Sequence, residues 1–417
     1  MTSPARWAGG GLLLAAVVTA CQERLTSPAE CPALCPGGSA QVFDTVIPAQ
    51  ALRDSSFPAF ADRANGYVDR GQGVALLASN GFAASEDRAI YRFTPRSESI
   101  PVRDTLRSYT VDSVLLGLTL VARDTLVNGL KVYLYRLPAA VDSTRTFTDI
   151  EPLLTDASLI DSVAVPDSVN TGAINAILRG PDVAEVALPA GGDSVLAIGV
   201  RIAAESPTGI RLGSLASHGA AVFTRYVTVD VPDTGAVRSQ VLNLPTTFNT
   251  FVTQAPVEPV DSLLTVGSEP ASRALIRFAL SNEFLDSATI VRATLELTPV
   301  RPIISLPTDP SVLQTIAVVG DLGAKSPLVD TLDTRFTLRD TLPPVQSDTL
   351  QVEVTRIVQF WQASRSRPQS VFLRMVPEAA TFARAVFFST RSHVPGDLLV
   401  APRLRIAYQR SFPFENP

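Results

Sequence analysis

Two short runs, one in each half of the chain, alternate strictly between two kinds of position. The first is Arg88–Phe93 and the second is Arg273–Phe278. In both, alanine, a large side chain and phenylalanine fall on one side, while two arginines fall on the other. A period of two is the signature of a β-strand with one buried face. The leading arginines are offset by 273 − 88 = 185 in the numbering, which indicates that one strand recurs in the second half.

Other runs recur at nearly the same offset. The alternating segment Val114–Leu120 matches Val291–Leu297, with an offset of 291 − 114 = 177. The continuous apolar run Val195–Gly199 matches Val371–Met375, with an offset of 371 − 195 = 176. Matches that keep nearly one offset and one order predict a tandem duplication of a β-rich module.

The chain has many short strand-like runs with turn signals between them, and no pattern for a helix of normal length. This predicts an all-β protein with two tandem jelly-roll-like β-sandwiches after a signal peptide and a flexible tether. We place the first module at 41–232, a linker at 233–244, the second module at 245–410 and a tail at 411–417. Thr246–Thr253 is expected to open the second module.

One short helix is expected in the second module. Thr355 is suited to cap it, and Val358 and Trp361 then share one face. A single tryptophan on such a face invites a role in stacking against a sugar ring. Because large aromatic side chains anchor cores, core packing is the favoured interpretation for Trp361.

The N-terminus has the pattern of an export signal. Arg6 is followed by the short apolar run Trp7–Thr19, which is too short to span a bilayer stably and favours a signal peptide, residues 1–20. Val18-Thr19-Ala20-Cys21 resembles the bacterial lipobox, which implies that Cys21 is lipidated and that residues 21–40 form a tether. Gln22 takes the place where an inner-membrane retention signal has Asp, so the expected address is the outer membrane or the cell surface. An incidental cysteine after a plain secretory signal is the alternative.

Two further cysteines lie in the tether, at Cys31 and Cys35. In an exported, oxidising setting, a small disulfide loop is the favoured interpretation. Metal binding is the weaker alternative, because no other soft ligand lies near in sequence.

Composition excludes several classes of function. The net charge of −5 is spread along the chain, so no basic stripe indicates nucleic acid as a partner. All three cysteines lie at or before Cys35, and the only histidines are His218 and His393. A histidine-based triad or a Cys/His metal site in the folded part is therefore not expected, and no catalytic residue or cofactor is assigned.

Calcium in a loop is left open. Asp followed by Ser or Thr recurs before apolar residues, as in Asp112-Ser113, Asp340-Thr341 and Asp348-Thr349. An aspartate that bonds its own turn explains this pattern without a ligand. A calcium site would need several oxygens to converge in space, which the pattern does not establish.

The candidate ligand-binding residues are the strand arginines Arg88, Arg92, Arg273 and Arg277. A row of guanidinium groups on a sheet is suited to grip uronate or sulfate in a bidentate manner. The favoured alternative is an ordinary exposed strand whose arginines pair with neighbouring carboxylates.

Two tyrosines on one predicted strand, Tyr133 and Tyr135, are further candidates. Side chains at alternate positions of a strand share a face, so the two rings are suited to form a stacking platform for a sugar. The favoured alternative is an aromatic cross-strand contact covered by a loop.

Four segments of the second half resemble, in order and spacing, the DNRLRE domains, which are β-sandwich modules related to carbohydrate-binding modules. The segments are Arg273–Leu280, Ala288–Leu297, Val352–Trp361, and Phe387–Arg391 followed by Ala401–Tyr408. The first half keeps the first two segments, but Ala187–Gly192, with a proline and two glycines, replaces the strand-to-helix piece. The resemblance implies a jelly-roll sandwich in both halves and polysaccharide binding as in some relatives, and it transfers no catalytic residues.

Together these patterns predict a non-catalytic lipoprotein of the cell envelope, held at the lipid bilayer by its N-terminus, with a glycan or another cell-surface polymer as the ligand. A structural or adhesive surface protein without a defined sugar ligand is the alternative. A polysaccharide-degrading enzyme that uses tyrosine and arginine is the third hypothesis, and it requires acid–base groups that converge in a cleft.

Overall fold

The computed structural model describes residues 42–50, 55–58, 75–97, 99–102, 104–186, 195–231, 236–256, 263–268, 271–330, 332–391 and 400–410. The predictions on the signal peptide and on Cys21, Cys31 and Cys35 lie outside these residues. Within them the protein is mostly antiparallel β-structure, which confirms the all-β class. No helix in the described ranges is long and apolar enough to span a membrane.

A ten-stranded antiparallel sheet forms the body of what we call the first unit. Its strands are β3 (Leu76–Phe82), β4 (Ser85–Phe93), β7 (Thr110–Arg123), β8 (Lys131–Leu137), β9 (Leu159–Ala164), β10 (Gly172–Arg179), β11 (Ala197–Ala203), β12 (Thr208–Leu212), β13 (Val222–Val231) and β14 (Ala236–Gln254). They pair in the order β14-β13-β7-β12-β3-β4-β11-β8-β9, and β10 pairs with β7. Because β14 also pairs with β4, six of these strands close into a ring.

Two sheets with a shared core form the second unit. The first has the order β1-β25-β17-β22, with β1 (Phe43–Pro48), β17 (Ala288–Leu297), β22 (Leu350–Glu353) and β25 (Arg403–Arg410). The second has the order β20-β19-β23-β16-β15-β24, and β2 (Ser55–Pro58) pairs with β16. Its other strands are β15 (Leu263–Ser268), β16 (Ala271–Arg277), β19 (Val312–Ala317), β20 (Thr337–Thr341), β23 (Ser370–Val376) and β24 (Arg384–Phe388).

The remaining elements are short. β5 (Ser99–Val102) and β6 (Thr105–Ser108) form a small hairpin, and β18 (Ile303–Ile304) and β21 (Val345–Gln346) form a small antiparallel pair from distant parts of the chain. In the part of the chain that the structure describes, the α-helices are α1 (Phe147–Ile150), α2 (Asn282–Asp286) and α3 (Thr355–Gln362). Segments of 3-10 helix run over Glu151–Leu153, Asp156–Ser158, Gly180–Val186 and Gly323–Lys325.

Each unit has its own hydrophobic core, built from the inward positions of alternating strands. In β7 the side chains of Val114, Leu116, Leu118 and Leu120 are buried and face the core of the first unit. In the second unit, the inward side chains of β17 and β25 meet those of β16 and β23. Two facing sets of strands around one core are the arrangement of a sandwich.

Helix α3 confirms one prediction and corrects another. Trp361 is 1% exposed and its ring lies 6.2 Å from the ring of Phe278 in the core of the second unit, as expected. Thr355 is the first helical residue rather than the cap, which is Val354. The hydroxyl of Thr355 instead accepts a hydrogen bond of 2.7 Å from the backbone N–H of Ala293, and so ties α3 to β17.

The opening strands lie in other places than the sequence suggests. Phe43–Pro48, expected in the first module, pairs with β25 of the second unit. Residues 236–245, mostly assigned to a linker, form a hairpin ladder with β13, and Thr246–Gln254 pairs with β4. Alternation fixes which face of a strand is buried, but not which distant strand becomes its neighbour.

Strand pairing also corrects one sequence match and one expected turn. Val291 is 50% exposed, whereas Val114 is buried, because both β7 and β17 contain a β-bulge, at Asp112 and Val291 respectively. The offset between the two bulges is 291 − 112 = 179. Asp112 therefore lies within a strand, where it accepts a hydrogen bond from the Thr228 hydroxyl, and it does not form the expected turn.

The two units contact each other around one aromatic pair. The rings of Phe82 and Phe382 meet edge to face with centroids 5.2 Å apart. Gly209 lies beneath them, and a β-carbon at this position would approach the Phe382 ring to 2.9 Å. Arg211 and Asp309 form an ion pair of 2.5 Å at the same contact. A glycine is thus required where the second unit presses on the first.

Candidate functional site

An open cleft of about 690 Å³ lies on the first unit, over the strands β3, β4, β8 and β11. Its volume is in the range typical of small-molecule and saccharide sites. We name it the Tyr133 cleft, and its polar lining consists of Asn80, Glu86, Arg88, Tyr133, Tyr135, Glu151, Asp156, Arg201 and Gln254.

The two predicted tyrosines project into this cleft from β8. Their rings are stacked, with centroids 6.4 Å apart and planes inclined by 25°. Tyr133 is half-buried, while Tyr135 is only 1% exposed and packs against Phe147 and Leu154 of the covering segment. The favoured alternative, an aromatic cross-strand contact covered by a loop, describes Tyr135 in its covering only, because the ring stacked on it belongs to Tyr133 of the same strand. Tyr133 alone offers ring surface to a ligand.

Arg201 on β11 joins the two tyrosines. Its guanidinium carbon lies 4.9 Å from the centroid of Tyr135 and 5.9 Å from that of Tyr133. Its Nη2 donates to the Tyr135 hydroxyl at 2.5 Å. Burial raises the pKa of Tyr135, and the positive charge of Arg201 opposes that rise. The ammonium of Lys131 also lies 5.1 Å from the Tyr133 centroid, so the ring rests among cations.

Arg88 lies at the floor of the cleft and is already paired. It is 5% exposed, its Nε donates to Glu151 at 2.6 Å, and its Nη1 donates to Glu86 at 2.9 Å. A further bond of 2.8 Å goes to the backbone carbonyl of Ser79. Burial alone would lower the pKa of this guanidinium, but the bonds to Glu151 and Glu86 raise it above its usual value. Arg88 therefore holds the acidic wall of the cleft in place.

The charges of the lining do not favour an anion. Three carboxylates (Glu86, Glu151 and Asp156) stand against two guanidinium groups (Arg88 and Arg201). Arg88 is bound to two of the three carboxylates, and Arg201 lies 3.9 Å from Glu151. Carboxylates at such positions accept hydrogen bonds from hydroxyl groups. The cleft combines one aromatic ring with several acceptors, which is the chemistry that recognises an uncharged polyol.

The other predicted arginines lie outside the lining of this cleft. Arg92 donates to the carbonyl of Val141 at 3.1 Å and lies over the ring of Phe248. Arg273 and Arg277 each grip one carboxylate with two nitrogens, those of Glu378 and Asp321 respectively. The structure thus brings Arg88, Tyr133 and Tyr135 together, and it pairs Arg273 and Arg277 with carboxylates of the chain itself.

The second unit has a related arrangement without the aromatic ring. Arg374 on β23 donates to Gln314 on β19 at 2.6 Å, and it lies 3.7 Å from Glu378. Gln314 is fully buried and faces Arg374 across the strand pair, as Tyr133 faces Arg201. The amide replaces the tyrosine, so the ring that makes the first cleft distinctive has no counterpart at this position.

Sequence reasoning missed Arg201 and Glu151. The signal for Arg201 is its position between Val200 and Ile202, where one charged residue interrupts an apolar strand that is otherwise buried. Glu151 lies in a 3-10 segment between α1 and β9, where no alternating pattern marks its side chain, and nothing in its spacing links it to Arg88.

No protein-family model matches the chain, and no curated protein matches it. Within the described residues, no group of three or more His, Cys, Asp or Glu side chains is placed to hold a metal ion. The functional interpretation therefore rests on the geometry of the Tyr133 cleft.

Proposed function

We propose that the protein is a non-catalytic lipoprotein of the cell envelope whose first unit binds a neutral, hydroxyl-rich saccharide in the Tyr133 cleft. The observation that supports this is the half-buried Tyr133 ring in an open cleft whose lining has three carboxylates and two amide side chains that can accept hydrogen bonds. An aromatic ring packs against the apolar face of a sugar, and carboxylate or amide oxygens accept its hydroxyl protons.

A neutral ligand is preferred to an acidic one for an electrostatic reason. A uronate or sulfate would have to displace Glu151 from Arg88, where the pair is partly buried and has a bond of 2.6 Å. Removing one partner from a pair of this kind leaves an uncompensated charge. The carboxylates of Glu86 and Asp156 would also repel the incoming anion.

A glycan array tests this proposal. The wild-type chain is expected to bind neutral oligosaccharides in a saturable manner and to ignore uronate and sulfate glycans of the same length. Tyr133→Ala removes the ring and is expected to weaken binding about tenfold or more, since about 1.4 kcal/mol of lost stacking corresponds to a factor of ten. Tyr226→Ala is the matched control, because Tyr226 is a 39% exposed tyrosine on β13 and does not line the cleft. Equal binding by wild type and Tyr133→Ala would contradict the proposal.

The anchor is a separate part of the proposal. The lipobox-like residues ending in Cys21 support an acylated N-terminus, and more than one chain is needed for stable anchoring. Labelled palmitate is expected to be incorporated into the wild-type protein and not into Cys21→Ala. Retention of the label in the variant would exclude lipidation at this residue.

A second candidate, polysaccharide cleavage, is favoured by one observation, the cluster of Tyr135, Arg201 and carboxylates in a single cleft. However, a tyrosine that acts as a base needs a lowered pKa, and burial raises that of Tyr135. Incubation of the array-positive glycan with the protein, followed by chromatography of the products, separates binding from cleavage. Shortened products that disappear in Tyr135→Phe would replace the binding proposal by an enzyme.

A purely structural or adhesive role is the remaining alternative. The pairing of Arg273 and Arg277 with carboxylates of the chain favours it for the second unit, since the exposed guanidinium forks predicted to grip a ligand are engaged internally. An array without any signal for the wild-type protein would extend that role to the first unit.

A further inference from the structure

The two units have the same strand order, and the register of their central strands agrees as well. In the first unit, the arginine strand β4 pairs with β11, which pairs with β8 and then β9. In the second unit, the arginine strand β16 pairs with β23, which pairs with β19 and then β20. Arg92 stands opposite Ala197 and Arg277 opposite Ser370, so β11 matches β23 with an offset of 370 − 197 = 173. In this register both strands have the same burial pattern.

The other side of each unit gives an independent check. The bulges of β7 and β17 are offset by 291 − 112 = 179 in the numbering. Gly209 of β12 and Arg384 of β24 occupy equivalent places in the two ladders, and they are offset by 384 − 209 = 175. Leu120 and Leu212 are paired in the first unit. Adding 179 to the number of Leu120 gives Pro299, and adding 175 to that of Leu212 gives Phe387; these two residues form a β-bridge in the second unit.

The strand that completes each unit is also equivalent. In the first unit, β14 pairs with β13 up to Pro245 and then continues along β4, where Val252 lies opposite Arg88. In the second unit, β1 pairs with β25 up to Pro48, and β2 then pairs with β16, where Phe57 lies opposite Arg273. Both closing strands thus run along the last strand, pass a proline and turn onto the arginine strand.

Each closing strand directly precedes one unit in the sequence but completes the other unit in space. β1 and β2 directly precede β3 and β4 along the chain, and β14 directly precedes β15 and β16. In space, β1 and β2 complete the second unit, and β14 completes the first. We propose that the two units are copies of one module that have exchanged their opening strands within a single chain, so that each copy is closed by a strand from the other.

The exchanged strands supply core contacts and not only sheet edges. The ring of Phe43 packs 5.6 Å from that of Tyr408, and Ile47 and Ala49 pack into the core of the second unit. In the first unit, β14 contributes Phe251 to the main core and Val252 to the adjacent cluster. A unit cut from the chain between 233 and 244 would therefore lose its closing strand and expose an open sheet edge.

Disulfide trapping in the full chain distinguishes exchanged from unexchanged strands. Asp44 stands opposite Ala407 in the structure, whereas in an unexchanged chain it would stand opposite Tyr226, which now faces Val241. All four positions point away from the core. Neighbouring positions on antiparallel strands lie within the Cα distance that a disulfide spans.

Cysteine pairs are placed in a chain whose Cys21, Cys31 and Cys35 are replaced by Ser. D44C/A407C and V241C/Y226C are expected to oxidise within one chain, while D44C/Y226C and V241C/A407C are expected to stay reduced. Peptide mapping and the mass of the unreduced chain identify the links. Trapping of D44C/Y226C would overturn the exchange, and so would failure of D44C/A407C while V241C/Y226C forms. A D44C/A407C link between two chains would overturn exchange within a single chain.

Discussion

A buried carboxyl group next to the Tyr133 cleft gives a pH-dependent stability that can be worked out from the structure. Asp87 on β4 is 0% exposed. The Ser79 hydroxyl lies 2.8 Å from the Ser85 carbonyl oxygen and 2.5 Å from Oδ2 of Asp87. The Ser79 hydroxyl donates to Oδ2 of Asp87, which favours the charged carboxylate, so burial has to outweigh this bond for the pKa of Asp87 to rise.

Burial raises the pKa of Asp87 from 3.8 to about 6, against the opposing effect of the Ser79 bond. The folded state therefore binds this proton more tightly than the unfolded state. Its contribution to stability is complete below about pH 3.8 and is lost as the pH rises through about 6. A shift from 3.8 to about 6 corresponds to about 3 kcal/mol, at about 1.36 kcal/mol per pKa unit.

Asp87→Asn removes the titration and keeps the shape of the side chain. The free energy of unfolding of wild type minus that of the variant is expected to fall by about 3 kcal/mol between about pH 4 and pH 7. Denaturant titrations at several pH values measure this difference. Asp44→Asn on the exposed face of β1 controls for the loss of one negative charge. The reasoning would be refuted if the free energy of unfolding of wild type minus that of Asp87→Asn stayed constant with pH or grew as the pH rose.

Three further substitutions test the packing. Arg123 is 2% exposed and donates to four backbone carbonyls, so Arg123→Met is expected to lower the free energy of unfolding by about 3 kcal/mol or more in denaturant titrations; an unchanged midpoint would contradict this. Trp361→Ala is expected to cost about 3–5 kcal/mol in the same assay, and a cost below about 1 kcal/mol would exclude a core role. Gly209→Ala is expected to cost about 1–3 kcal/mol by pressing on Phe382. This cost is expected to shrink in a Phe382→Ala background, and equal costs in both backgrounds would show that the two residues do not press on each other.

The sequence predicts where the strands lie more successfully than it predicts which strands pair and in which register. Strict alternation locates β4, β16 and β7 because each has one buried face, and Trp361 is recognised as a core residue from its place on a short helix. The match of Val195 to Val371 is out of register, because its offset is 176 where the pairing gives 173. Val195–Gly199 is a continuous apolar run with no alternation to fix the register, and the charged residue that matches Arg374 in the observed pairing, Arg201, lies beyond that run.

The partners of the opening strands are not predictable from the local pattern. Phe43–Pro48 pairs with the far end of the chain, at 403–408. Nothing in so short a strand distinguishes this partner from the equivalent edge at β13. The proposed exchange of the two closing strands depends on the repeat offset read together with the observed pairing.

The cleft is only partly visible in the sequence. Tyr133, Tyr135 and Arg88 are candidates because they stand out on amphipathic strands. Glu151 joins them through a 3-10 segment after α1, and its ion pair with Arg88 connects two segments that are distant in sequence. Pairing of the strand arginines with carboxylates is the favoured interpretation of the sequence, but Glu151 comes from a short 3-10 segment, so the sequence does not identify it as the partner of Arg88.

Calorimetric titration of a neutral oligosaccharide selected on the array is the most direct test of the proposed cleft. If stacking on Tyr133 and hydroxyl bonds to carboxylates recognise the sugar, saturable heat is expected at low ionic strength and again in about 1 M salt, where exposed charge interactions are screened within about 3 Å. The affinity for the oligosaccharide is expected to fall at least about tenfold in Tyr133→Ala and to be retained in Tyr226→Ala. Binding that vanishes in salt and is insensitive to Tyr133→Ala would contradict a neutral-saccharide site in this cleft.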